Sequence, residues 1–297
     1  MKRLICILGP TASGKSDYAF EYAGKYQGEI ISADAMQVYR GMDIGTAKPS
    51  FEMQKKVKHH LINSLNPNEN YDVARFVQEA KVVIADCFHR GVQPIICGGT
   101  NYYVTSLLDG IAPVPQANWD LRDKWESLAV SKGGDYLWQE LKKVDPISAE
   151  RVHKNDTKRL VRAIEVYEIS GQPLSSFRPE GGVRERYVIE LLGIKHNKEI
   201  LKERIAKRME YMFEEGLLQE VKSLREIYSD LSHTAREAIG YKEVIAYLEH
   251  GDMEEDSLKR KIIQNTVKLV KKQMTWLNAQ PDIHWMGESL KHSPPAT

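Results

Sequence analysis

The sequence predicts an α/β fold in which helices cover both faces of a parallel sheet, with a helical insert added to it. Short apolar runs at residues 4–8, 29–33 and 94–97 read as strands buried on both faces. Helical sequence lies between them, so strand and helix alternate, which implies right-handed crossovers and a parallel sheet. The pattern then changes: residues 117–175 carry no good strand but several helical stretches.

Each element has its own signal. The run at residues 4–8 stops at Gly9-Pro10, and a helix is expected from Lys15 to about Tyr26. Residues 60–65 form a weaker strand candidate. Asp72 reads as an N-cap, because Val73, Phe76, Val77, Ala80, Val83, Ile84 and Cys87 recur at helical spacing until Gly91. Within the insert, helices are expected at 120–131 and at 156–170, the latter closed by Gly171. A strand returns at 187–194, followed by a charged helix from Lys198 to about Gly216 and further helices to Trp276. The expected organisation is an α/β core at 1–116 and 187–291, a helical insert at 117–186, and a disordered tail at 292–297 with Pro294-Pro295. No internal repeat is visible.

A chain of 297 residues can bury a sizeable core, and 42% hydrophobic with 28% charged residues excludes a largely disordered protein. The formal charge is only +1, so a polyanionic partner must be met by local basic clusters. Two such clusters exist. Residues 151–162 carry Arg151, Lys154, Lys158, Arg159 and Arg162 against Asp156 alone, and residues 259–272 carry only basic charges. Either could equally be a solvated helix face. Cys6, Cys87 and Cys97 sit in apolar runs without metal-ligand or paired spacing and read as buried, reduced thiols. The N-terminal apolar run is too short for a signal peptide and nothing approaches a membrane span, so the chain is expected in the cytoplasm.

The chemistry begins with Gly9-Pro10-Thr11-Ala12-Ser13-Gly14-Lys15-Ser16, which fits G-x-x-x-x-G-K-[ST] between a strand and a helix. This is a P-loop, and it makes the expected core P-loop NTPase-like. Its backbone N–H groups and the helix N-terminus close around phosphate oxygens, Lys15 neutralises the outer phosphate, and the Ser16 hydroxyl can ligate Mg²⁺. Such a loop establishes phosphates, not the reaction. The strand at 94–97 ends in Gly98-Gly99-Thr100, where a hydrolysing NTPase would often offer a metal-binding Asp. The second strand ends instead in Asp34, on the edge where open α/β sheets bind ligands. Asp34 there is an indirect magnesium ligand, a general base or an N-cap. Gly98 and Gly99 permit close backbone approach, and Thr100 offers a hydroxyl or a cap.

The P-loop, residues 32–49 (Ser32-Ala33-Asp34-Ala35-Met36-Gln37-Val38-Tyr39 through Lys48-Pro49) and Gly98-Gly99-Thr100-Asn101-Tyr102-Tyr103 together resemble the signature blocks of the tRNA dimethylallyltransferase (tRNA isopentenyltransferase) family. Asn155-Asp156 with Arg159, Arg162-Ala163-Ile164-Glu165-Val166, Gly216-Leu217-Leu218, Ile239-Gly240-Tyr241-Lys242-Glu243 and Lys272-Gln273-Met274-Thr275-Trp276 agree, so the resemblance covers nearly the whole chain. Two departures stand out. Ala35 replaces the common Ser after the aspartate, and residues 266–272 lack an arginine and a tyrosine usual there.

The resemblance implies transfer of the dimethylallyl group from dimethylallyl diphosphate to N6 of the adenine just 3′ of the anticodon in tRNA, with Mg²⁺ as cofactor. It implies Asp34, Thr100 and Arg208 as catalytic residues and the P-loop as the diphosphate site. It further implies Asp34, Ala35, Met36, Gln37, Thr100 and Arg122 as tRNA contacts, in a protein expected to be a monomer. The target base must leave its stack to react. The rival readings are a small-molecule P-loop kinase, a prenyltransferase acting on free adenine nucleotides, and a non-catalytic RNA-binding protein.

Overall fold

The computed structural model describes residues 1–251 and 253–286. The tail expected at 292–297, and the end of the core from 287 onward, lie outside the described residues. The chain divides into two compact units, one of residues 1–108 with 183 onward, the other Asp109–Gly182.

The larger unit is built on strands β1 (Arg3–Leu8), β2 (Gly28–Ala33), β3 (His59–His60) and β4 (Gln93–Gly98), with helices α1 (Lys15–Tyr26), α2 (Phe51–Lys56), α3 (Val73–His89) and α4 (Asn101–Asp109) between and after them. The smaller unit holds β5 (Gly110–Ile111), α5 (Trp119–Lys132), α6 (Gly134–Val144), α7 (Pro146–Arg151), α8 (Thr157–Ser170) and β6 (Glu180–Gly181). The larger unit resumes with β7 (Val188–Ile194), α9 (Lys198–Glu214), α10 (Leu217–Ile227), α11 (His233–Arg236), α12 (Tyr241–His250), α13 (Glu255–Asn278) and β8 (Ile283–Met286).

Its sheet has six strands in the order β3-β2-β4-β1-β7-β8, all parallel. The strands β1, β2 and β4 are buried on both faces because their residues alternate between two cores. Leu4, Cys6 and Leu8 of β1 join one cluster with Ile31, Ile96 and Phe76; Ile5 and Ile7 join the other with Tyr18, Ala19 and Ile95. Each fully buried leucine, isoleucine or phenylalanine among them contributes about 1.5–3 kcal/mol. Register decides where the ligand edge lies. Leu8 and Ala33 both pair with Gly98, so β1, β2 and β4 end level and the three following loops emerge side by side.

Asp72 caps α3 as expected, accepting a backbone N–H in its first turn, and Asn118, Asp156 and Asn197 do the same for α5, α8 and α9. Gly171 closes α8 at φ +68°. Two features differ from expectation. The strand expected at 60–65 stops at His60, because Leu61 and Asn63 take left-handed backbone (φ +59° and +50°), and only Leu65 bridges back to Tyr39. Strand β8 has no counterpart in the sequence reading; four residues pair along β7 from Leu191 to Ile194.

The smaller unit packs Trp125, Leu137, Leu141, Leu160, Val161 and Ile164 into its own core. Its limits fall earlier than 117–186, because the antiparallel pair Gly110–Gly181 and Ile111–Glu180 brings its two ends together.

Candidate active site

The P-loop turns after β1 with Ala12 at φ +66° and Gly14 at φ +84°, and Ser13 N–H closes the turn on Pro10 O at 3.2 Å. α1 then starts at Lys15. On the neighbouring strand, Gly98 is obligatory, since a Cβ there would lie 2.2 Å from Ala33 O. Gly99 likewise has no room for one: it would meet Gln273 Nε2 at 2.7 Å and lie 3.5 Å from Lys15 Nζ.

A cavity of about 530 Å³ opens on this edge. Thr11, Lys15 and Ser16 line it from the P-loop, Asp34, Ala35, Met36 and Gln37 from the loop after β2, and Thr100 from the end of β4. Arg208 reaches it from α9. Apolar lining comes from Met209 and Met212 of α9, Leu217 of α10, Ile239, and Ile262 and Leu269 of α13, and α13 adds Lys272. Gly9 and Pro10 carry the turn into the loop, whereas Ala12, Ser13 and Gly14 line a second concavity of about 680 Å³ shared with Lys15, Ser16, His196, Arg204 and Arg208.

Local bonds define what each polar group can still do. Asp34 Oδ1 accepts from Met36 N–H at 2.9 Å and Gln37 N–H at 3.4 Å, so the carboxylate organises its own loop while facing the cavity. Thr100 Oγ1 accepts from Ala35 N–H at 3.1 Å, which ties the loop to β4 and leaves the hydroxyl hydrogen to donate elsewhere. The Gln37 amide is engaged on both sides: Oε1 accepts from Ser32 Oγ at 3.0 Å, and Nε2 donates to Thr46 O and Ala47 O at 3.3 and 3.4 Å.

Charge is concentrated around the cavity. Burial pushes the Lys15 ammonium below its ordinary value; Cys97 and Asp34 oppose this, and Arg208 adds to it. Arg208 is likewise pushed down by burial and held up by Asp34 and Asp17. Two partly desolvated cations facing one carboxylate make a site that gains from an anionic ligand. Cys97 lines the same cavity, but burial pushes its thiol up to about 11, so it is neutral near pH 7 and no nucleophile. The oxygen donors Ser16 and Asp34 in one cavity fit a hard cation such as Mg²⁺, which takes one or two protein oxygens and completes its shell with phosphate and water.

A family model described as IPP transferase matches residues 37–280. The chain belongs to the IPP transferase family. It is 42% identical over 288 residues to a tRNA dimethylallyltransferase of Alkaliphilus oremlandii, covering 96% of this chain and 91% of the relative. Among solved structures, it is similar to the full-length tRNA isopentenylpyrophosphate transferase of Bacillus halodurans, with a TM-score of 0.70, 33% identity, and coverage of 96% of this chain and 90% of that one. A eukaryotic dimethylallyltransferase acting on tRNA matches with a TM-score of 0.76 at 28% identity, covering 96% of this chain and 74% of that one.

Arg122 belongs to the smaller unit, where its Nε and Nη2 donate to the fully buried Glu165 at 3.0 and 3.1 Å. Burial alone would raise the Glu165 carboxyl; bonds from Arg122, Arg162 and Asn118 N–H outweigh it and hold the group below its ordinary value. Arg162 therefore turns inward and leaves the basic cluster at 151–162, whose Arg151, Lys154, Lys158 and Arg159 are exposed.

Gln273 bridges two of the loops at this edge. It is 6% exposed, its Oε1 accepts from Thr11 N–H at 2.9 Å, and its Nε2 donates to Gly99 O at 2.8 Å, so one amide sets the spacing between the P-loop and β4. A signal existed: it falls in the buried stripe Leu258, Ile262, Thr266, Val270, Leu277 of α13, a polar residue at a core position. His196 and Arg204 gave no comparable signal. They reach the P-loop carbonyl of Ser13 at 2.9 and 3.4 Å from behind.

Proposed function

We propose that this chain transfers the dimethylallyl group of dimethylallyl diphosphate to N6 of the adenine immediately 3′ of the anticodon in tRNA. The observation that carries the reading is one cavity lined by a phosphate-binding loop, by the cations Lys15, Arg208 and Lys272, by the Asp34 carboxylate, and by apolar methionine, leucine and isoleucine side chains. That combination suits a substrate with a diphosphate head and a short hydrocarbon chain. The similarity to proteins acting on tRNA supplies the acceptor.

In this mechanism Lys15, Arg208 and the P-loop N–H groups bind the diphosphate. The N6 lone pair attacks C1 of the allylic chain, the C1–O bond breaks, and the diphosphate leaves with the electron pair. Negative charge builds on the leaving group, so fixed cations there lower the barrier. An adenine amine is a weak nucleophile, and Asp34 takes the proton it loses. Thr100, beside Ala35, offers its hydroxyl to the flipped base. Mg²⁺, held by Ser16, would supply further neutralisation of the diphosphate. The exposed Lys261, Lys268, Lys271 and Lys272 of α13 meet RNA phosphates. The catalyst is taken to be a monomer working in the cytoplasm; among the described residues no helix is long and apolar enough to cross a membrane.

The test incubates the chain and Mg²⁺ with labelled dimethylallyl diphosphate and, separately, tRNA, AMP or ATP. Label is expected in the tRNA alone. Label in AMP or ATP, or none in tRNA, overturns the proposal.

A further inference from the structure

A carboxylate outside the cavity occupies a nest of backbone N–H groups beneath its wall. Glu220 on α10 accepts from Asp43 N–H at 2.9 Å, Ile44 N–H at 2.8 Å and Gly45 N–H at 3.2 Å. The hydroxyl of Tyr241, the first residue of α12, donates to the same carboxylate. Burial raises the fully buried phenol's pKa, and the negative charge of Glu220 raises it further, so the ring stays a neutral donor. The fit is close, since a Cβ on Gly45 would lie 2.4 Å from the Tyr241 ring.

The other end of this loop is fastened to the active site. Thr46 O and Ala47 O both accept from Gln37 Nε2, and Ser32 Oγ donates to Gln37 Oε1. These three bonds fix which way the Gln37 amide faces, because rotating it would set its oxygen against two carbonyls. Ala47 sits at φ +45°, a conformation that a non-glycine residue keeps only when its surroundings hold it. Glu220 and Tyr241 hold one side of the loop and Gln37 the other. Neither Glu220 nor Tyr241 lines the cavity.

We propose that Glu220 and Tyr241 are positioning residues for the RNA substrate: they set the 43–47 loop, whose carbonyls orient the Gln37 amide beside Asp34. The inference rests on the function above, with residues 34–37, which line the cavity, as the tRNA contacts that the family resemblance implies. A carboxylate filling three N–H donors across 175 to 177 residues of sequence is a strong restraint, since charge-assisted bonds exceed neutral ones in strength.

The test is Glu220→Gln in the full chain, with Tyr241→Phe as the milder variant. Hydrogen exchange at the Asp43, Ile44 and Gly45 amides should quicken. The KM for tRNA should rise about tenfold, the scale of one weakened charge-assisted bond, with kcat and dimethylallyl diphosphate affinity within twofold. Tyr241→Phe should shift KM the same way, by less. Glu220→Gln added to Gln37→Ala should raise the tRNA KM no further than Gln37→Ala alone, because the two act in series. Additive losses, or a lowered melting temperature with unchanged tRNA KM, overturn the proposal. If the wild-type chain labels no tRNA, the function itself is refuted and this role falls with it; wild-type transfer with an unmoved KM in Glu220→Gln refutes the positioning role alone.

Discussion

Replacing Gln273 by methionine removes two hydrogen bonds while nearly keeping side-chain volume, so it isolates the polar bridge between the P-loop and β4. The buried Gly99 carbonyl would lose its partner, a cost of about 1–3 kcal/mol, and the half-buried Thr11 N–H, which water can still reach, would lose about 1 kcal/mol. Methionine fills the space, so little cavity cost is added. The sum, about 2–4 kcal/mol, corresponds to a melting temperature lower by roughly 3–6 °C in a chain of this size. Thr11 is also a P-loop residue, and freeing its backbone should weaken diphosphate binding about tenfold, one lost well-placed bond at the phosphates. Calorimetry gives both quantities, as a thermal scan and as a titration with inorganic diphosphate in Mg²⁺. A melting temperature within about 1 °C of wild type, together with unaltered diphosphate affinity, would refute the bridge.

Three further outcomes follow from the site and its surroundings. Asp34→Asn should lower single-turnover transfer by about 10²- to 10⁴-fold at saturating substrates; a near-normal rate removes the general base, and rescue by excess Mg²⁺ moves Asp34 to the metal. Neutralising the exposed Lys271 and Lys272 should make the slope of log affinity for tRNA against log salt shallower by roughly 1.4, two phosphates' worth of released counterions; an unaltered slope takes them out of the interface. The third concerns Glu29, where Arg90 bonds first, and His60 and Cys87 after it, hold the carboxyl at about 2 against the pull of burial. A depressed carboxyl stabilises the fold above its unfolded value near 4.5 and loses that contribution as pH falls toward about 2. Glu29→Gln should therefore destabilise at pH 7 and converge with wild type near pH 2, as read by urea melts; a pH-independent difference would contradict the ion pair. The same bonds explain why Glu29, His60 and Cys87, whose ligand atoms lie within 4.8 Å of one another, form an ion-pair cluster: Arg90 already neutralises the carboxylate.

The sequence by itself determined the sheet, the P-loop and the family. Strand runs buried on both faces, glycines where backbone must pass close, the Asp72 cap and the Gly171 stop are local consequences of local chemistry. G-x-x-x-x-G-K-[ST] needs only a strand before it and a helix after it, so its role could be read without knowing its neighbours. Tertiary structure decided the rest, because those features depend on what lies opposite. Leu61 and Asn63 end the third strand through backbone angles that no spacing rule reports. Strand β8 exists because β7 offers it an open edge. Arg122 and Arg162 look like surface charge until Glu165 is found buried between them. Gln273 and Glu220 act on loops more than 170 residues away in the chain. A hydrogen bond is set by distance in space, and only the folded chain brings those atoms within 3 Å or so of each other.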